Sequence, residues 1–361
     1  MLIFANSNMS DSKQDILSLS GEQLQMLLKP LGWENFRFRQ LHEWLWKYGV
    51  RDFHQMTNLS KLHRKQLEDL FYLPTLKLDL KQQSSDGTIK CKFSTHDGYP
   101  IESVLIPVPE EDRYTLCVSS QSGCSLACAF CATGTMGLLK QLTASEIFDQ
   151  FLFVDRLCQE TYGKSLTNIV YMGMGEPLLN YKNVMASIEK LCSTDGPGLS
   201  PRRITLSTAG IAKMIRKLAD DGSRVNLALS LHAADDEKRS RMMAINDSNN
   251  LSVLLEAIRY FYKTSSNRIS YEYIAFEGFN DTPADAKNLI RLCSHFPVRV
   301  NLIEYNPVSG VSWSKSSEDR INAFAQILRR NGIMVTLRRS RGRDIDAACG
   351  QLAVKRERTD S

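Results

Sequence analysis

The feature that most constrains this chain is a short loop that carries three cysteines, Cys124, Cys128 and Cys131. Small residues separate them, so the loop can curl its three thiolates toward one point. Three thiolates from one loop suit a 4Fe–4S cluster in which one iron has no protein ligand. The alternative is a zinc site, but zinc sites of this kind usually combine two short Cys or His pairs, and no second pair occurs here. The sequence therefore predicts an iron–sulfur cluster with one iron open to another ligand.

Composition places the chain among soluble globular proteins. It has 361 residues, of which 43% are hydrophobic and 24% charged. No apolar run approaches the length of a membrane span, and the apolar stretch 1–5 is too short and lacks the basic lead of a signal peptide. The nine cysteines are clustered and odd in number, which favours a reducing compartment over a disulfide scaffold. We therefore expect a cytoplasmic protein with no membrane partner.

The net charge of +5 is mild, but the basic residues are gathered in two places. One group lies in the first 72 residues and the other near the end, where both could meet phosphates; they are Lys61, Arg64 and Lys65, then Arg338, Arg339, Arg341 and Arg343. A solvated charged surface explains the same pattern, so charge alone leaves both readings open.

Periodicity divides the chain into four parts. A polar leader (1–15) and a compact helical pattern (20–71) predict a small N-terminal helical domain over 1–72. Short alternating runs at 75–80, 88–94 and 101–107 predict antiparallel strands in a linker over 73–110. Residues 111–351 form the main domain, and 352–361 a basic tail. Within the linker, Glu102 has the pattern of an ordinary solvated strand residue.

The main domain alternates strands with helices. Predicted strands lie at 115–119, 168–172, 203–207, 225–231, 269–275 and 298–304, with a possible further one at 334–337. The clearest helix opens with the capping-box pair Thr143 and Glu146. Six apolar strand–helix units predict an α/β fold, a partial (β/α)6 barrel, with a doubly wound sheet as the rival. In both, ligands bind at the carboxyl ends of the strands, and the cysteine loop follows the first strand, within which Cys117 falls.

Several other strand ends carry groups suited to binding. Gly175 and Glu176 follow the second strand, where glycine permits close approach of a ligand and the carboxylate can accept a bond from an ammonium group. Hydroxyl, imidazole and amide groups follow the third, fourth and sixth strands, forming a predicted binding rim of Ser207, Ser230, Leu231, His232 and Asn306. Of the remaining cysteines, Cys349 lies in a small-residue segment after the last basic run. Cys158, Cys192 and Cys293 are typical of buried apolar positions, and Cys91 has no clear role.

Together these motifs resemble the RlmN family of radical S-adenosylmethionine (SAM) RNA methyltransferases. The resemblance covers 116–121, the cysteine loop, 172–178, 206–210, 301–303, 305–307 and 344–351. It implies that Cys124, Cys128 and Cys131 bind the cluster and that Gly175, Glu176, Ser207, Ser230, Leu231, His232 and Asn306 contact SAM. It also implies that Cys349 is transiently methylated, that Cys117 is the resolving thiol and that Glu102 accepts a proton.

The family's activity is methylation of carbon 2 of adenine in 23S rRNA, at the peptidyl transferase centre, and in tRNA next to the anticodon. The resemblance implies two SAM molecules per turnover, a methyl-cysteine intermediate and a transient protein–RNA crosslink that a disulfide between Cys117 and Cys349 releases. It further implies an RNA-contacting, helix–hairpin–helix-like N-terminal domain. We also expect a reductant such as flavodoxin or ferredoxin, and a monomer.

Three alternatives remain at this point. The sister enzyme Cfr methylates carbon 8 of the same rRNA adenine and confers antibiotic resistance, but its relatives tend to have alanine where Pro177 follows Glu176. The chain could instead be a non-catalytic iron–sulfur protein that binds RNA. It could also be a radical SAM activase that acts on a protein glycyl residue, which would not need Cys349.

Overall fold

The computed structural model describes residues 13–308 and 311–353. Most of the predicted leader (1–12) and of the predicted basic tail (354–361) lies outside these residues. The described chain forms two compact units. The first comprises the residues up to Thr75 together with Ser193–Gly198, and the second comprises the rest.

The first unit is helical, as the sequence predicts. A capping box between Ser20 and Gln23 opens the first helix, and Gly32, in a left-handed conformation (φ 86°), follows the 3-10 turn after it. Ser60 caps the third helix. A minimal parallel pair joins the two ends of the unit. The elements are β1 (Gln14–Asp15), α1 (Gly21–Leu28), α2 (Asn35–His42) with a π-helical continuation (Glu43–Lys47), α3 (Lys61–Leu70) and β2 (Phe71–Tyr72).

The second unit is built on a ten-stranded sheet. Its strands are β3 (Lys77–Gln83), β4 (Ile89–Ser94), β5 (Pro100–Val108), β6 (Arg113–Cys117), β9 (Asn168–Tyr171), β10 (Ile204–Thr208), β11 (Asn226–Ser230), β12 (Ile269–Ala275), β13 (Arg299–Glu304) and β14 (Met334–Arg338). A separate antiparallel pair consists of β7 (Gln121–Gly123) and β8 (Leu138–Gln141). Every predicted strand is present, including the seventh parallel one. β6 ends at Cys117 rather than at Ser119, so Cys117 is the last residue of its strand rather than an interior one.

Helices follow most of the parallel strands and cover the sheet. Thr143 and Glu146 form both bonds of the predicted capping box at the start of the longest one. The helices are α4 (Ala132–Thr135), α5 (Ala144–Tyr162), α6 (Tyr181–Cys192), α7 (Ala212–Asp220), α8 (Asp236–Met242), α9 (Leu251–Ser265), α10 (Pro283–Cys293) and α11 (Glu318–Arg330). Among the described residues, no helix is long and apolar enough to cross a membrane.

The order of the strands decides between the two predicted architectures. The parallel strands run β6-β9-β10-β11-β12-β13-β14, so each new strand is added on the same side of the previous one. A doubly wound sheet reverses its order at a switch point, so that rival is wrong. The sheet also curls, because Arg338 Nη1 on β14 lies 3.9 Å from Met172 Sδ just after β9. The result is an open, partial barrel, with β3–β5 continuing its sheet beyond β6.

Candidate active site

The β7–β8 pair holds the base of the cysteine loop. Cys124 donates its backbone N–H to the Gly137 carbonyl at 2.9 Å. Gly123 has φ 72°, and a Cβ there would lie 1.8 Å from the Gly137 oxygen. Only glycine permits this approach of one backbone to the other. The conformational freedom of small residues, which the sequence predicted for the loop, is thus already required at Gly123, where the loop begins.

The tip of the loop packs on the carboxyl ends of the parallel strands. Phe130 is buried in an apolar cluster with residues that follow β10 to β13, including Phe276 and Tyr305. Its ring meets His232 edge to face, with centroids 4.8 Å apart. The Ala129 N–H donates to the Met242 carbonyl at 2.9 Å. The three cysteines therefore lie at the mouth of the barrel, where ligands of such folds bind.

Two of the three thiols, those of Cys124 and Cys128, lie in surroundings that favour the protonated form over the thiolate. Burial raises the pKa of Cys124 to about 11, and burial together with the charges of Cys131 and Cys124 raises the pKa of Cys128 further. A bound metal replaces such protons and removes the penalty. In the described ranges no group of three or more His, Cys, Asp or Glu side chains is arranged around a single ion, as zinc requires. A cluster, whose cysteines bind separate irons, fits this donor set better.

Glu176 and Gly175 lie beside the loop, directly after β9. Gly175 has φ 95°, and a Cβ there would overlap the Gln121 side chain. The Glu176 carboxylate is buried and accepts backbone N–H groups from Ala209 at 2.8 Å and Leu178 at 3.0 Å. Burial raises the pKa of Glu176 to about 7. A cationic ligand would reverse this effect, which suits the predicted contact with an ammonium group.

The rim residues after β10 and β11 are also brought together. Ser207 Oγ and Ser230 Oγ lie 3.5 Å apart. Leu231 is fully buried. His232 is buried in a left-handed conformation (φ 56°), and its Nδ1 accepts the Ile274 N–H at 3.1 Å. Burial lowers the pKa of His232 to about 3, so its imidazole is neutral.

Asn306 is the last residue of the predicted rim. A buried arginine, Arg239, which the sequence did not indicate, holds two loops of the rim in place. Asn306 follows β13, is buried, and donates to the Glu304 carbonyl at 3.3 Å. Arg239 is fully buried in α8 and donates to the carbonyls of Ala209 (2.5 Å) and Leu231 (3.2 Å). It thereby fixes the loops after β10 and β11. No sequence signal marks it, because most residues of α8 are polar or charged and an arginine among them is usually solvated.

The C-terminal segment, which we define as residues 342–353, joins the cysteine loop. Ala132 N–H donates to the Gly350 carbonyl at 2.8 Å, and Thr133 Oγ1 donates to the Leu352 carbonyl at 2.6 Å. Both bonds lie just after Cys349 in the sequence, and they hold this part of the segment against the cysteine loop. Cys349 itself is exposed and has a free thiol.

The same segment covers Cys117. Cys117 is buried in an apolar cluster with Ala347 and Leu352, and its thiol is free. Burial and the nearby Cys349 raise the pKa of Cys117 to about 12, although Arg338 opposes them. The structure thus places the two predicted reactive cysteines close enough to interact electrostatically, although they are far apart in sequence.

Glu102 lies beneath the C-terminal segment, so its interpretation as a solvated strand residue is wrong. It is 4% exposed, because the segment covers this part of β5. Its Oε1 lies 3.8 Å from Lys90 Nζ, and its Oε2 has no hydrogen-bond partner among the described residues. Burial raises the pKa of Glu102, while Lys90 and Lys92 oppose the shift.

The basic group near the end is largely neutralised within the chain. Arg338 Nη1 binds Glu272 Oε2 at 3.1 Å, Arg339 binds Glu318 at 2.7 Å, and Arg343 pairs with Glu304. Three of the four arginines in this group are therefore already paired with carboxylates of the same chain. Of the other cysteines, Cys158 and Cys293 are buried, as predicted, whereas Cys192 is only half-buried. Cys91, for which the sequence indicated no role, is buried as well.

Comparison with known proteins agrees with this site. Residues 118–292 match the family model for the radical SAM superfamily, and residues 14–73 match the model described as the ribosomal RNA large subunit methyltransferase N-terminal domain. The crystal structure of a radical SAM methyltransferase from Sphaerobacter thermophilus is 40% identical, with a TM-score of 0.89 over 95% of this chain and 100% of that one. Fold and site therefore define a radical SAM methyltransferase, an enzyme with a radical mechanism.

Curated relatives narrow the class. The probable dual-specificity RNA methyltransferase RlmN of Cytophaga hutchinsonii is 51% identical over 95% of this chain and 93% of its own length. That of Christiangramia forsetii is 48% identical over 96% and 97%. The chain belongs to the RlmN family of radical SAM RNA methyltransferases. A 4Fe–4S cluster and SAM come with that membership, and a non-catalytic RNA-binding protein does not fit it.

Proposed function

We propose that this enzyme methylates carbon 2 of adenine in 23S rRNA, at the peptidyl transferase centre, and in tRNA next to the anticodon. The observation that supports the proposal is that Cys349 belongs to a segment that bonds to the cysteine loop and also packs on Cys117. The relatives are named as probable dual-specificity RNA methyltransferases, and this name supports the proposal of two RNA substrates. Pro177 after Glu176 favours carbon 2 over the carbon 8 chemistry of Cfr.

Three cysteines at the barrel mouth would hold the cluster, namely Cys124, Cys128 and Cys131. The residues that would contact SAM are Gly175, Glu176, Ser207, Ser230, Leu231, His232 and Asn306. When bound, the cluster would supply an electron, one SAM molecule the methyl group and a second SAM molecule the group that removes a hydrogen atom, so that two SAM molecules are used in each turnover. The buried Glu176 carboxylate provides an acceptor. The neutral His232 provides a donor, because its Nδ1 accepts the Ile274 N–H and its Nε2 therefore carries the hydrogen.

The reaction itself uses three side chains of the chain. The exposed thiol of Cys349 loses its proton and carries the methyl group as a thioether. The methyl carbon gives up one hydrogen atom and becomes bonded to the base carbon, and the unpaired electron that this leaves would pass to the cluster. Glu102 accepts the proton that the base carbon loses. The buried thiol of Cys117 loses its proton and attacks the sulfur of Cys349, so that a disulfide forms as the bond between that sulfur and the methyl carbon breaks; the bonding pair stays on the carbon, which takes a proton and becomes the methyl group of the product. Cys117 is thereby required for release and not for attachment.

These roles have consequences for the cellular compartment and for the partners of the enzyme. External thiols must reduce the disulfide before the next turnover, which fits a cytoplasmic enzyme. We propose a monomer that receives electrons from a small carrier such as flavodoxin or ferredoxin.

The Cys117→Ala variant tests the proposal. We expect it to purify with RNA covalently bound at Cys349, because attachment is intact and release is blocked. The Cys293→Ala variant, which removes another buried thiol, should purify free of RNA, and so should the Cys117→Ala/Cys349→Ala double variant. Free protein from the single Cys117 variant would contradict the proposal.

The methylated carbon can be identified in rRNA from cells that carry the gene and from cells that lack it. Nuclease digestion of their rRNA, followed by mass spectrometry, should give 2-methyladenosine when the wild-type gene is present. The 8-methyl isomer would instead indicate the Cfr reaction. Unmodified adenosine would contradict both reactions.

A further inference from the structure

We propose that Lys90 is a positioning residue, which fixes the Glu102 carboxylate and the C-terminal segment in one arrangement so that the carboxylate can take the proton of the base. This inference rests on the proposed function, because it assumes that Glu102 is the proton acceptor.

The contacts of Lys90 join the two parts of the site. Lys90 lies on β4, and its Nζ is 3.8 Å from Glu102 Oε1 and 3.4 Å from the Asp346 carbonyl. Asp346 precedes Cys349 by three residues. One ammonium group therefore contacts both the predicted proton acceptor and the segment that carries the methylated cysteine.

Burying the charged groups of Lys90 and Glu102 is unfavourable unless the two groups are paired. Lys90 is 8% exposed and Glu102 is 4% exposed. A lysine is almost never buried to this degree without a partner, since an unpaired ammonium group loses several kcal/mol of hydration. Replacing both residues by well-packed apolar ones is often neutral or stabilising for folding alone, whereas removing only one leaves the other charge buried without a partner. A buried pair that is not needed for stability indicates a role in the reaction.

The two carboxylate oxygens of Glu102 have different surroundings. Oε1 faces Lys90, whereas Oε2 is buried with no hydrogen-bond partner in the described part of the chain. A buried acceptor without a partner is unfavourable and is uncommon in folded proteins. Its neighbourhood is that of Cys117, because Val104, two residues along the same strand face, pairs in register with Cys117. Oε2 is thus the acceptor left open on the strand that pairs with Cys117.

The charges around Glu102 set the form of the carboxylate. Lys90 and Lys92 on β4 favour the ionised form, whereas burial and Asp346 in the C-terminal segment oppose it. In the proposed step the C–H bond at the base carbon breaks, the proton passes to Oε2, and the electron pair remains on the ring. Only the ionised carboxylate can accept that proton, so loss of Lys90 must impair this step.

Variants of Lys90 separate this role from a structural one. We expect Lys90→Met to slow RNA methylation about tenfold or more at pH 7, less than the roughly 10²–10⁴-fold loss of a general base itself because Glu102 is retained, while Cys349 is still methylated at the normal rate. The pH midpoint of RNA methylation should move upward, because Glu102 then ionises at a higher pH. Lys90→Arg should restore rate and midpoint. Lys81→Met, which removes an exposed charge from the neighbouring strand β3, should alter neither.

A double-mutant cycle covers the case in which Lys90→Met folds poorly. In a Glu102→Gln background there is no buried carboxylate to orient, so adding Lys90→Met should slow the residual reaction no further. Additive losses, or an unshifted pH midpoint in Lys90→Met, would overturn the inference. A Cys117→Ala variant that traps no RNA would instead reject the proposed function itself, so the two failures are distinguishable.

Discussion

Glu176 shows at the scale of one residue how burial prepares a binding group. Its oxygens accept two backbone N–H groups, yet these bonds do not compensate for the loss of water, and its pKa is raised to about 7. In the protein without ligand the neutral acid is therefore favoured up to near neutral pH. A positively charged ligand would shift the group back to the carboxylate, so binding and ionisation are coupled.

This raised pKa predicts a pH-dependent stability. Because the folded protein holds the proton of Glu176 more tightly than the unfolded chain does, the stabilisation is complete below pH 4.5 and is lost as the pH rises toward 7. The loss attributable to this group is about 3 kcal/mol. Urea unfolding of wild type and Glu176→Gln between pH 4.5 and 7.5 should show the decline in the first and a flatter profile in the second. Parallel profiles would mean that Glu176 does not titrate in this range.

Single residues were predictable where a short motif carries the information. The spacing of Cys124, Cys128 and Cys131, and Glu176 between Gly175 and Pro177, can be recognised locally. Lys90 and Glu102 could not be recognised in this way, because their burial depends on the C-terminal segment more than 200 residues later. A lysine that alternates with apolar residues on a strand is usually solvated.

At the scale of elements, the β7–β8 pair determines whether the cysteine loop can form. Gly123 and Gly137 approach so closely that an added Cβ at Gly123 would meet the Gly137 carbonyl oxygen at 1.8 Å. Backbone atoms on both sides leave no flexible side chain to move away. The pair must therefore separate if Gly123 is replaced.

We expect Gly123→Ala to lose most of its bound iron while the rest of the chain stays folded. The matched control is Gly222→Ala, which has a similar positive φ of 66° but open space around its Cβ. Both variants carry the same backbone strain, roughly 1 kcal/mol, so only the collision differs. Iron and acid-labile sulfide per chain after anaerobic reconstitution measure the outcome. Equal iron in both variants would show that the pair does not control the loop.

The elements were predictable to different degrees. Long apolar strands such as β12 and the capping box of α5 have strong patterns, and both lie where they were predicted. The three-residue strand β7 has no alternation that periodicity could detect, and its partner β8 is mostly exposed. Such pairs depend on one glycine contact, which only coordinates show.

At the scale of the whole molecule, the C-terminal segment connects the two ends of the parallel sheet. It leaves β14, contacts the turn between β3 and β4, and then reaches the cysteine loop after β6. Asp344 accepts from Ser84 Oγ at 2.6 Å and from the Ser85 N–H at 3.1 Å. Asp86 accepts the Gly342 N–H at 3.0 Å. The antiparallel extension is therefore part of the site's support and not only a linker.

We expect Asp344→Ala to loosen this segment without unfolding the barrel. Amide hydrogen exchange in residues 342–353 should become about tenfold faster, because both bonds to the turn are lost, while α5 and β12 remain protected. RNA methylation should fall in parallel. The Asp319→Ala variant, at an exposed position of α11, should exchange like wild type. Unchanged exchange in the segment of Asp344→Ala would show that the turn does not hold it.

The architecture as a whole could be predicted because its strands follow one another in chain order. Six apolar strand–helix units and a possible seventh strand indicated a partial barrel, and the structure has all seven parallel strands in one open sheet. The crossing of the C-terminal segment could not be predicted, since it rests on hydrogen bonds between residues about 260 positions apart. Contacts of that range leave no periodic pattern in the sequence.

The late position of Cys349 in the chain has a consequence for synthesis on the ribosome. Every strand of the described sheet is translated before Cys349, whose segment is held by carbonyl contacts to a loop made more than 200 residues earlier. A nascent polypeptide that has not reached this residue therefore lacks the thiol that we propose bonds to RNA. The proposed covalent chemistry can begin only after residue 349 has been made.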